Sequence, residues 1–481
     1  MIAGLPIGKL PAGLKGPEHQ MSTLKCISPI DGSVFAERPA ATLTQAQGMV
    51  DSARKAQKSW AARPLDERIS LVRAGLARLG EMNGEVVPEI ARMMGRPVRY
   101  GGEFSGVNER ASYMADIAVE ALKPIVVEAS EKFERRIEHE PHGVVLVIAP
   151  WNYPYLTAIN TVAPALIAGN AVILKHATQT LLAGERLVQA FTRAGIPQDV
   201  FQNIFLDHQT TSALIAARSF GFVNFTGSVG GGMAMEKAAA GTFTSLGLEL
   251  GGKDPGYVME DADLDAAVAT LIDGAMFNSG QCCCGIERIY VTGKLFDAFV
   301  EKAVAIVSGY KLGNPLDPET TLGPMANIRF AGLVRSQTAD AISQGATAHI
   351  DASGFADDGG GTYLAPQILT SVTHDMRVMR EESFGPVVGI MQVADDAEAI
   401  RLMNDSNFGL TASLWTADAD RAARIGRDIE TGTVFMNRCD YLDPALCWTG
   451  CKDTGRGGAL SVIGYRNLTR PKSYHLKRAL T

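Results

Sequence analysis

The sequence lacks the features of several large classes of protein. Gly, Pro or Asn breaks its longest apolar runs, so no segment is expected to cross a bilayer as a helix. The net charge is −7, which argues against nucleic acid or an anionic membrane as the main partner. The first twenty residues have no continuous apolar core of a signal peptide, so a loose tail is predicted, with Met21 as an alternative start.

Cysteine and aromatic residues are also scarce. Seven cysteines, an odd number without regular spacing, do not form a secreted disulfide framework and favour the reducing cytoplasm. Aromatic residues make up 7% and charged residues 20%, whereas 46% are hydrophobic, which is typical of a soluble α/β enzyme. A chain of 481 residues is too long for one core, so two or three domains are expected.

Apolar runs alternate with helical patterns in the first half of the chain. The uninterrupted apolar run Val144–Ala149 predicts a central strand of a parallel sheet. Further strands are predicted at residues 171–174 and 222–225, with a helix over residues 184–194 between them. A capping box at residues 44–47 predicts the start of an earlier helix. Strands and helices in this order predict a doubly wound sheet.

A glycine-rich segment at residues 226–232 follows the third of these predicted strands. Small residues and free amide groups at the start of a helix form a natural pyrophosphate site. Taken alone, however, the segment is better explained as a plain tight turn. No GxGxxG follows the first predicted strand, so the ordinary dinucleotide-binding fingerprint is absent.

Three consecutive cysteines occupy positions 282–284, just before a strand-like apolar segment. Neighbouring side chains diverge too much to ligate one metal or to pair comfortably as a disulfide, which favours one reactive thiol, Cys283, between two pocket-lining ones. The alternative is that all three are small buried hydrophobic residues, the common situation of free cysteine. The run by itself does not decide between these interpretations.

Separate motifs, taken together, resemble the aldehyde dehydrogenase superfamily in their order and spacing. They are APWNYP at 149–154, FTGS at 225–228, LELGGK at 248–253, the cysteine segment at 277–288, and EESFGP at 381–386. The resemblance covers the chain from about Ile27. It implies an α/β fold with a modified Rossmann cofactor domain, an α/β catalytic domain and a small β arm used in oligomerisation. The implied divisions are 1–123 with 143–251 for the cofactor, 252–453 for catalysis, and 124–142 with 454–481 for the arm, whose last strand falls within 468–480.

The resemblance further implies oxidation of an aldehyde to the carboxylic acid. Cys283 matches the family's nucleophile, whose thiolate attacks the carbonyl and gives a thiohemiacetal and then a thioester. The Asn152 amide and the Cys283 N–H match the oxyanion donors, although Asn152 alone is better explained as a turn former. Glu249 matches the general base for thioester hydrolysis, since its apolar neighbours Leu248 and Leu250 would raise its pKa. A capping or ion-paired glutamate is the alternative.

The cofactor implied by the resemblance is NAD or NADP. The matching contact positions are Trp151, Lys175, Gly227, Ser228, Glu382 and Phe384. Three residues after Lys175, where NAD-preferring members usually carry Glu, this chain has Thr178, which removes a penalty against the 2′-phosphate of NADP. His176 replaces the common Pro, and residues 206–210 replace the family's usual glycine-rich stretch.

The same match implies a substrate pocket walled by Tyr153, Thr157, Asn160, Cys282, Cys284, Asp440 and Trp448. No clustered arginines mark a site for a substrate carboxylate, and only Arg438 lies beside this wall in the sequence. An inward Asp440 would disfavour an anionic substrate. Cys439, Cys447 and Cys451 lack the histidines or second cysteine pair of a zinc site, so no metal is expected.

Two other functions are compatible with such a fold. A CoA-acylating dehydrogenase would pass the thioester to CoA, but members of that kind commonly lack the residue matched by Glu249. A catalytically silent structural or binding protein would not need Cys283, Glu249 and Asn152 together. The expected partners are therefore a small-molecule aldehyde and further copies of the chain, as a homodimer or homotetramer, with no nucleic acid and no membrane.

Overall fold

The computed structural model describes residues 22–478. The predicted N-terminal tail, the alternative start at Met21 and the last residues of the predicted arm at 479–481 lie outside the described residues. Between residues 22 and 478, no helix is both long and apolar enough to span a membrane.

Helices and strands alternate through most of this range, which confirms the mixed α/β class. The helices are α1 (Leu43–Ala61), α2 (Leu65–Glu81), α3 (Asn83–Met94), α4 (Phe104–Ala121), α5 (Pro154–Ile167), α6 (Leu181–Arg193), α7 (His208–Ala216), α8 (Val229–Ala239), α9 (Leu264–Met276), α10 (Phe296–Ser308), α11 (Ile328–Ser343), α12 (Arg377–Arg380), α13 (Asp396–Asn404), α14 (Ala419–Asp428) and α15 (Ser461–Asn467). The strands are β1 (Thr23–Ile27), β2 (Val34–Pro39), β3 (Ile125–Ala129), β4 (Phe133–Pro141), β5 (Val144–Ala149), β6 (Ala171–His176), β7 (Phe201–Asn203), β8 (Phe222–Thr226), β9 (Ser245–Glu249), β10 (Asp254–Val258), β11 (Ile286–Thr292), β12 (Thr347–Ala348), β13 (Gln367–Thr370), β14 (Val387–Val393), β15 (Phe408–Gly409), β16 (Thr411–Trp415), β17 (Thr433–Met436), β18 (Cys451–Lys452), β19 (Gly455–Arg456) and β20 (Thr469–Lys477).

The first large sheet has the predicted doubly wound order. The chain begins in its middle at β5, adds β6 and β7 on one side and then β8 and β9 on the other, all in parallel. The antiparallel β19 closes the edge beside β9. Every residue of β5 is buried, because its alternate side chains enter two different cores on opposite faces of the sheet. In such a sheet, the carboxyl ends of β5 and β8 form a crevice where ligands bind.

A second sheet of seven strands carries the cysteine segment. Its order is β12-β13-β14-β11-β10-β16-β17, and every pairing is parallel except that of β12 with β13. β11 begins directly after the cysteines, and all its residues are buried. Separate apolar cores lie on the two faces of this sheet.

A third, antiparallel sheet joins two distant parts of the chain in the order β20-β4-β3. Nine residues of β20 pair in continuous register with β4, from Thr469 opposite Pro141 to Lys477 opposite Phe133. The edge strand β3 exposes Ile125, Val126 and Val127, at 51%, 64% and 57% of their surface. An exposed apolar edge strand is a template for pairing with another chain.

The predicted capping box at residues 44–47 is wrong by two positions. The helix begins at Leu43, and the box is formed by Thr42 and Gln45. Thr42 has the extended backbone that an N-cap requires, and its hydroxyl accepts from the Gln45 N–H while the Gln45 side chain accepts from the Thr42 N–H. Thr44 and Gln47 therefore lie inside the helix.

Candidate active site

A cavity of about 210 Å³ lies at the point where the cysteine segment meets the carboxyl end of β9. Nine of the predicted catalytic and pocket residues line it, namely Tyr153, Thr157, Asn160, Glu249, Cys282, Cys283, Cys284, Asp440 and Trp448. The remaining walls are formed by Arg110, Leu156, Thr226, Leu250, Phe277, Leu410 and Leu442. Residues separated by more than 300 positions in sequence thus line the same cavity.

The three adjacent cysteines have different environments. Cys283 is half-buried at the cavity wall, whereas Cys282 and Cys284 are buried. The neighbouring thiol groups of Cys282 and Cys284 lower the pKa of Cys283 to about 6, because a thiolate gains from donors directed at it. Cys283 is consequently the thiol of the three that is both accessible and readily ionised.

The two outer thiols converge on one carboxyl group. Their sulfur atoms are 3.5 Å apart, and the Asp440 Oδ1 accepts from Cys284 at 2.9 Å and from Cys282 at 3.4 Å. The three ligand atoms lie within 4.8 Å of one another, close enough to hold a metal ion. The prediction that the thiols of this segment diverge is therefore wrong for Cys282 and Cys284, since these side chains, two residues apart in the turn, point the same way.

Glu249 ends β9 and faces the same cavity. Burial raises the pKa of its carboxyl to about 7, an effect that the Arg110 guanidinium and a 3.5 Å hydrogen bond from the Thr226 hydroxyl oppose. Its neighbours Leu248 and Leu250 are buried in the core beneath the sheet. The carboxyl group is therefore poised to exchange a proton near neutral pH.

Asn152 lies in the turn between β5 and α5, and a buried ion pair holds this turn. The Asn152 carbonyl accepts from Arg96 and its Nδ2 donates to the Gln281 carbonyl at 3.2 Å. Arg96 also pairs with Glu103 at 2.7 Å, and both side chains are at most 4% exposed. Within residues 22–478 the Cys283 N–H donates no hydrogen bond, so it is available to a ligand oxygen.

The Glu103 carboxyl group also binds the start of α5. Its second oxygen accepts from the N–H groups of Tyr155 and Leu156, at 2.9 and 2.7 Å, in the first turn of α5. A carboxylate at a helix N-terminus satisfies amides that have no partner within the helix. The ion pair thus fixes both the start of α5 and the Asn152 turn.

Two glycines bring Glu382 close to the cysteine segment. A Cβ on Gly251 would lie 2.5 Å from a Glu382 carboxyl oxygen, and one on Gly252 would lie 2.2 Å from the Cys283 carbonyl. The Gly252 N–H donates to Glu382 at 3.0 Å, and burial raises the pKa of Glu382 to about 8. A side chain at position 252 would collide with the Cys283 backbone, and one at position 251 would displace the Glu382 carboxyl group.

The side chain of Glu287 holds the loop that carries Glu382 and Phe384. The Glu287 carboxyl, which is paired with Lys253 at 2.5 Å, accepts from the N–H groups of Ser383 and Phe384 at 2.8 and 2.9 Å. Phe384 then meets the Trp151 ring edge to face, with centroids 5.5 Å apart. Trp151, Glu382 and Phe384 are therefore brought to one side of the cysteine segment.

The other predicted cofactor positions lie at the carboxyl ends of β6 and β8. Lys175 is buried in β6, and Thr178 opens the short 3₁₀ helix Thr178–Thr180. Ser228 caps α8 by accepting from the Gly231 N–H at 3.2 Å, and the adjacent Gly227 leaves room for the Phe225 ring. An ammonium group, hydroxyls and the amides of a helix start are donors suited to the phosphates and ribose of a dinucleotide.

His176 has a structural part in this region. Its Nε2 donates to the Pro154 carbonyl at 2.9 Å, and its Nδ1 accepts from the Ala177 N–H at 3.1 Å. Burial lowers the pKa of His176 to about 4, so the ring is neutral at physiological pH. The ring ties the end of β6 to the start of α5.

Comparison with known proteins identifies this architecture. Residues 17–474 match the model of the aldehyde dehydrogenase family. The chain belongs to the aldehyde dehydrogenase family. It is an NAD(P)-dependent enzyme that oxidises aldehydes.

Individual relatives agree over nearly the whole length of this dehydrogenase. It is 33% identical to an NADP-dependent succinate-semialdehyde dehydrogenase of Deinococcus radiodurans, over 95% of this chain and 94% of the relative. Its fold matches the NADP complex of the NADP-dependent glyceraldehyde-3-phosphate dehydrogenase of Bacillus halodurans, with a TM-score of 0.89, 32% identity and coverage of 95% and 96%. It also matches the NAD complex of PnpE, with a TM-score of 0.91, 28% identity and coverage of 96% and 95%.

Three residues at the site of this dehydrogenase were not predicted from the sequence, namely Arg96, Glu103 and Arg110. Arg110 lines the cavity, whereas Arg438, the arginine noted from the sequence, is exposed and lies over the Tyr441 ring at 3.8 Å. Nothing in the sequence distinguishes Arg110 from a solvated arginine on a helix. Cys439 and Cys451 donate to separate backbone carbonyls, so they do not act as one cluster.

Proposed function

We propose that the enzyme oxidises its aldehyde through a covalent adduct with Cys283. The Cys283 thiolate attacks the carbonyl carbon and forms a thiohemiacetal, because it is the accessible thiol with a lowered pKa in the cavity. The Asn152 Nδ2 and the free Cys283 N–H donate to the resulting oxyanion. Bound NAD or NADP supplies the hydride acceptor for the oxidation. Cys283 then carries a thioester.

Glu249 acts as general base for hydrolysis of that thioester. It removes a proton from water, the hydroxide oxygen bonds to the acyl carbon, and the carbon–sulfur bond breaks to release the carboxylic acid and the Cys283 thiolate. A carboxyl group whose pKa is about 7 can both take and return this proton near neutral pH. The presence of Glu249 in the cavity supports transfer to water over transfer to CoA.

Trp151, Glu382 and Phe384 position the nicotinamide end of the cofactor, on the side of the cysteine segment where they meet. Lys175, Thr178, Gly227 and Ser228 hold the adenosine and pyrophosphate ends, since they lie at the carboxyl ends of β6 and β8. Thr178 offers a hydroxyl where a carboxylate would repel a 2′-phosphate. We therefore propose that the enzyme accepts NADP.

Relatives guide the choice of aldehydes to test. The proteins of Deinococcus radiodurans and Escherichia coli are named succinate-semialdehyde dehydrogenases. Succinic semialdehyde accordingly belongs in a panel with neutral aliphatic and aromatic aldehydes. Tyr153, Thr157, Trp448, Cys282 and Cys284 would contact the substrate in the cavity.

The assembly and location of the enzyme are also proposals. We propose that the strand β3 pairs with another copy of the chain in a homodimer or homotetramer, because Val126 and its neighbours form an exposed apolar edge. We also propose a reducing cytoplasm, because all seven cysteines are free, including Cys282 and Cys284, whose sulfur atoms are 3.5 Å apart. The three sheets support the proposed division into cofactor, catalytic and arm regions.

Cys283→Ala should lower the rate of aldehyde oxidation by several orders of magnitude, since the covalent route is lost. Cys282→Ala and Cys284→Ala should keep a measurable fraction, and Cys26→Ala, remote from the cavity, should match the wild type. Reduced-cofactor absorbance measures each rate, and iodoacetamide labelling should map to Cys283. Full activity in the Cys283 variant would exclude the covalent mechanism.

Glu249→Gln should still give a burst of reduced cofactor near one per active subunit, followed by slow turnover, because hydride transfer precedes hydrolysis. Wild-type turnover should rise as pH increases through about 7, where Glu249 loses its proton, and this rise should be absent in the variant. Stopped-flow absorbance across pH measures both. Absence of the burst would assign Glu249 to activation of the thiol instead.

Thr178→Glu should lower kcat/KM for NADP by roughly 10- to 100-fold, because a carboxylate would repel the 2′-phosphate and remove a hydrogen bond to it. The value for NAD should change much less. Thr192→Glu adds the same charge at an exposed position on α6 and should change neither value. Steady-state kinetics with both cofactors measures these kcat/KM values. A wild type that shows no activity with NADP would disprove this role of Thr178.

Val126→Lys should shift the enzyme from a dimer or tetramer towards a monomer, because a charge on the β3 edge opposes strand pairing. Val119→Lys, on the exposed face of α4, is the matched control and should leave the mass unchanged. Size-exclusion chromatography with light scattering measures the mass. A Val126→Lys variant that keeps the wild-type mass would place the interface elsewhere.

A further inference from the structure

One cation faces the cavity without a carboxylate partner. Arg110, on α4, lines the cavity. Its Nη1 donates only long hydrogen bonds of 3.4 Å, to the Leu156 carbonyl and the Asn160 Oδ1. Among residues 22–478 no Asp or Glu forms an ion pair with it, in contrast to the buried Arg96 nearby. A guanidinium that is withdrawn from water and weakly hydrogen-bonded has unused capacity to bind an anion.

Asn160 adds a second unused donor at the same wall. The side chain is 2% exposed, and its Nδ2 has no hydrogen-bond partner within the described residues. Its Oδ1 faces Arg110, so the amide orientation is set and the NH₂ group is the end left unsatisfied. A buried amide without an acceptor is costly unless a ligand supplies the acceptor.

Burial disfavours the charged forms of two carboxyl groups that face the same cavity, those of Asp440 and Glu249. Asp440 accepts hydrogen bonds from two thiols, and burial raises its pKa well above the usual range, which disfavours its charged form. Glu249 titrates only near pH 7. Burial therefore reduces the repulsion that an inward Asp440 would exert on an anionic substrate.

We propose that Arg110 and Asn160 form a carboxylate-binding subsite, so that the preferred substrate is an aldehyde carrying a carboxylate at its other end. The inference rests on the proposed function, because it assumes that the aldehyde carbon is attacked by Cys283 in the same cavity. The guanidinium and the free Asn160 NH₂ donate to the two carboxylate oxygens. The aldehyde end then points towards Cys283 and Asn152.

Two aldehydes of equal chain length, succinic semialdehyde and butanal, test this subsite, since only the first carries a carboxylate. The wild type should prefer succinic semialdehyde in kcat/KM. Arg110→Met should lower kcat/KM for succinic semialdehyde by about 10- to 150-fold while changing that for butanal by much less, because charge-assisted hydrogen bonds to the carboxylate are lost. Asn160→Leu should show a smaller loss of the same selectivity.

Two further variants make the result specific. Arg438→Met removes the exposed arginine over Tyr441 and should leave the preference unchanged. Arg110→Lys keeps the charge without the planar fork and should retain part of the preference, which gives a second test should the methionine variant fail to fold. A binding readout comes from alkylation of Cys283 by iodoacetamide, which succinate should slow in the wild type and not in Arg110→Met.

The outcomes separate the subsite from the proposed function. A wild type that oxidises butanal as well as succinic semialdehyde, or an Arg110→Met variant that loses both equally, would overturn the subsite and leave the Cys283 mechanism intact. Loss of preference in Arg438→Met alone would assign the carboxylate to that residue and also overturn the proposal. Failure of the wild type to oxidise any aldehyde would instead disprove the proposed function.

Discussion

The buried ion pair between Arg96 and Glu103 holds the parts of the site together. Arg96 binds the carbonyl of Asn152 and the side chain of Asn278, while Glu103 binds the first amides of α5. One pair of charges thereby connects the turn after β5, the helix that follows it and the segment that carries the cysteines. Charges withdrawn from water in this way are tolerated when their remaining donors and acceptors have partners, and here backbone groups and the Asn278 side chain supply them.

Burial controls the chemistry of the cavity as much as the identity of its residues does. It raises the pKa of Glu249, Glu382 and Asp440, each of which would be a plain carboxylate on the surface. The pKa values of two adjacent thiols move in opposite directions. Hydrogen bonds from its neighbours lower the pKa of Cys283, whereas the hydrogen bond that Cys282 donates to Cys283, together with burial, raises the pKa of Cys282. The cavity thus holds an ionisable thiol beside carboxyl groups whose charged forms are disfavoured by burial.

Features that depend on short stretches of sequence were predictable. The buried strands β5, β6 and β8 follow from continuous apolar runs, and their order follows from the alternation with helices. The capping box at the start of α1 was displaced by two residues, because Thr42 and Thr44 both precede a glutamine by three positions and only the backbone conformation selects between them. The motifs around Cys283 and Glu249 also lie in short segments, so they could be found without the fold.

The sequence by itself determined the α/β class, the family and the residues that its motifs contain. Only the tertiary structure placed Arg110 and Asn160 on the wall that also carries Glu249, and brought Cys282 and Cys284 to Asp440 across more than 150 positions. An arginine on a helix has the same local sequence whether it faces water or a cavity. Its role depends on which elements pack against that helix, and such long-range packing leaves no local pattern to read.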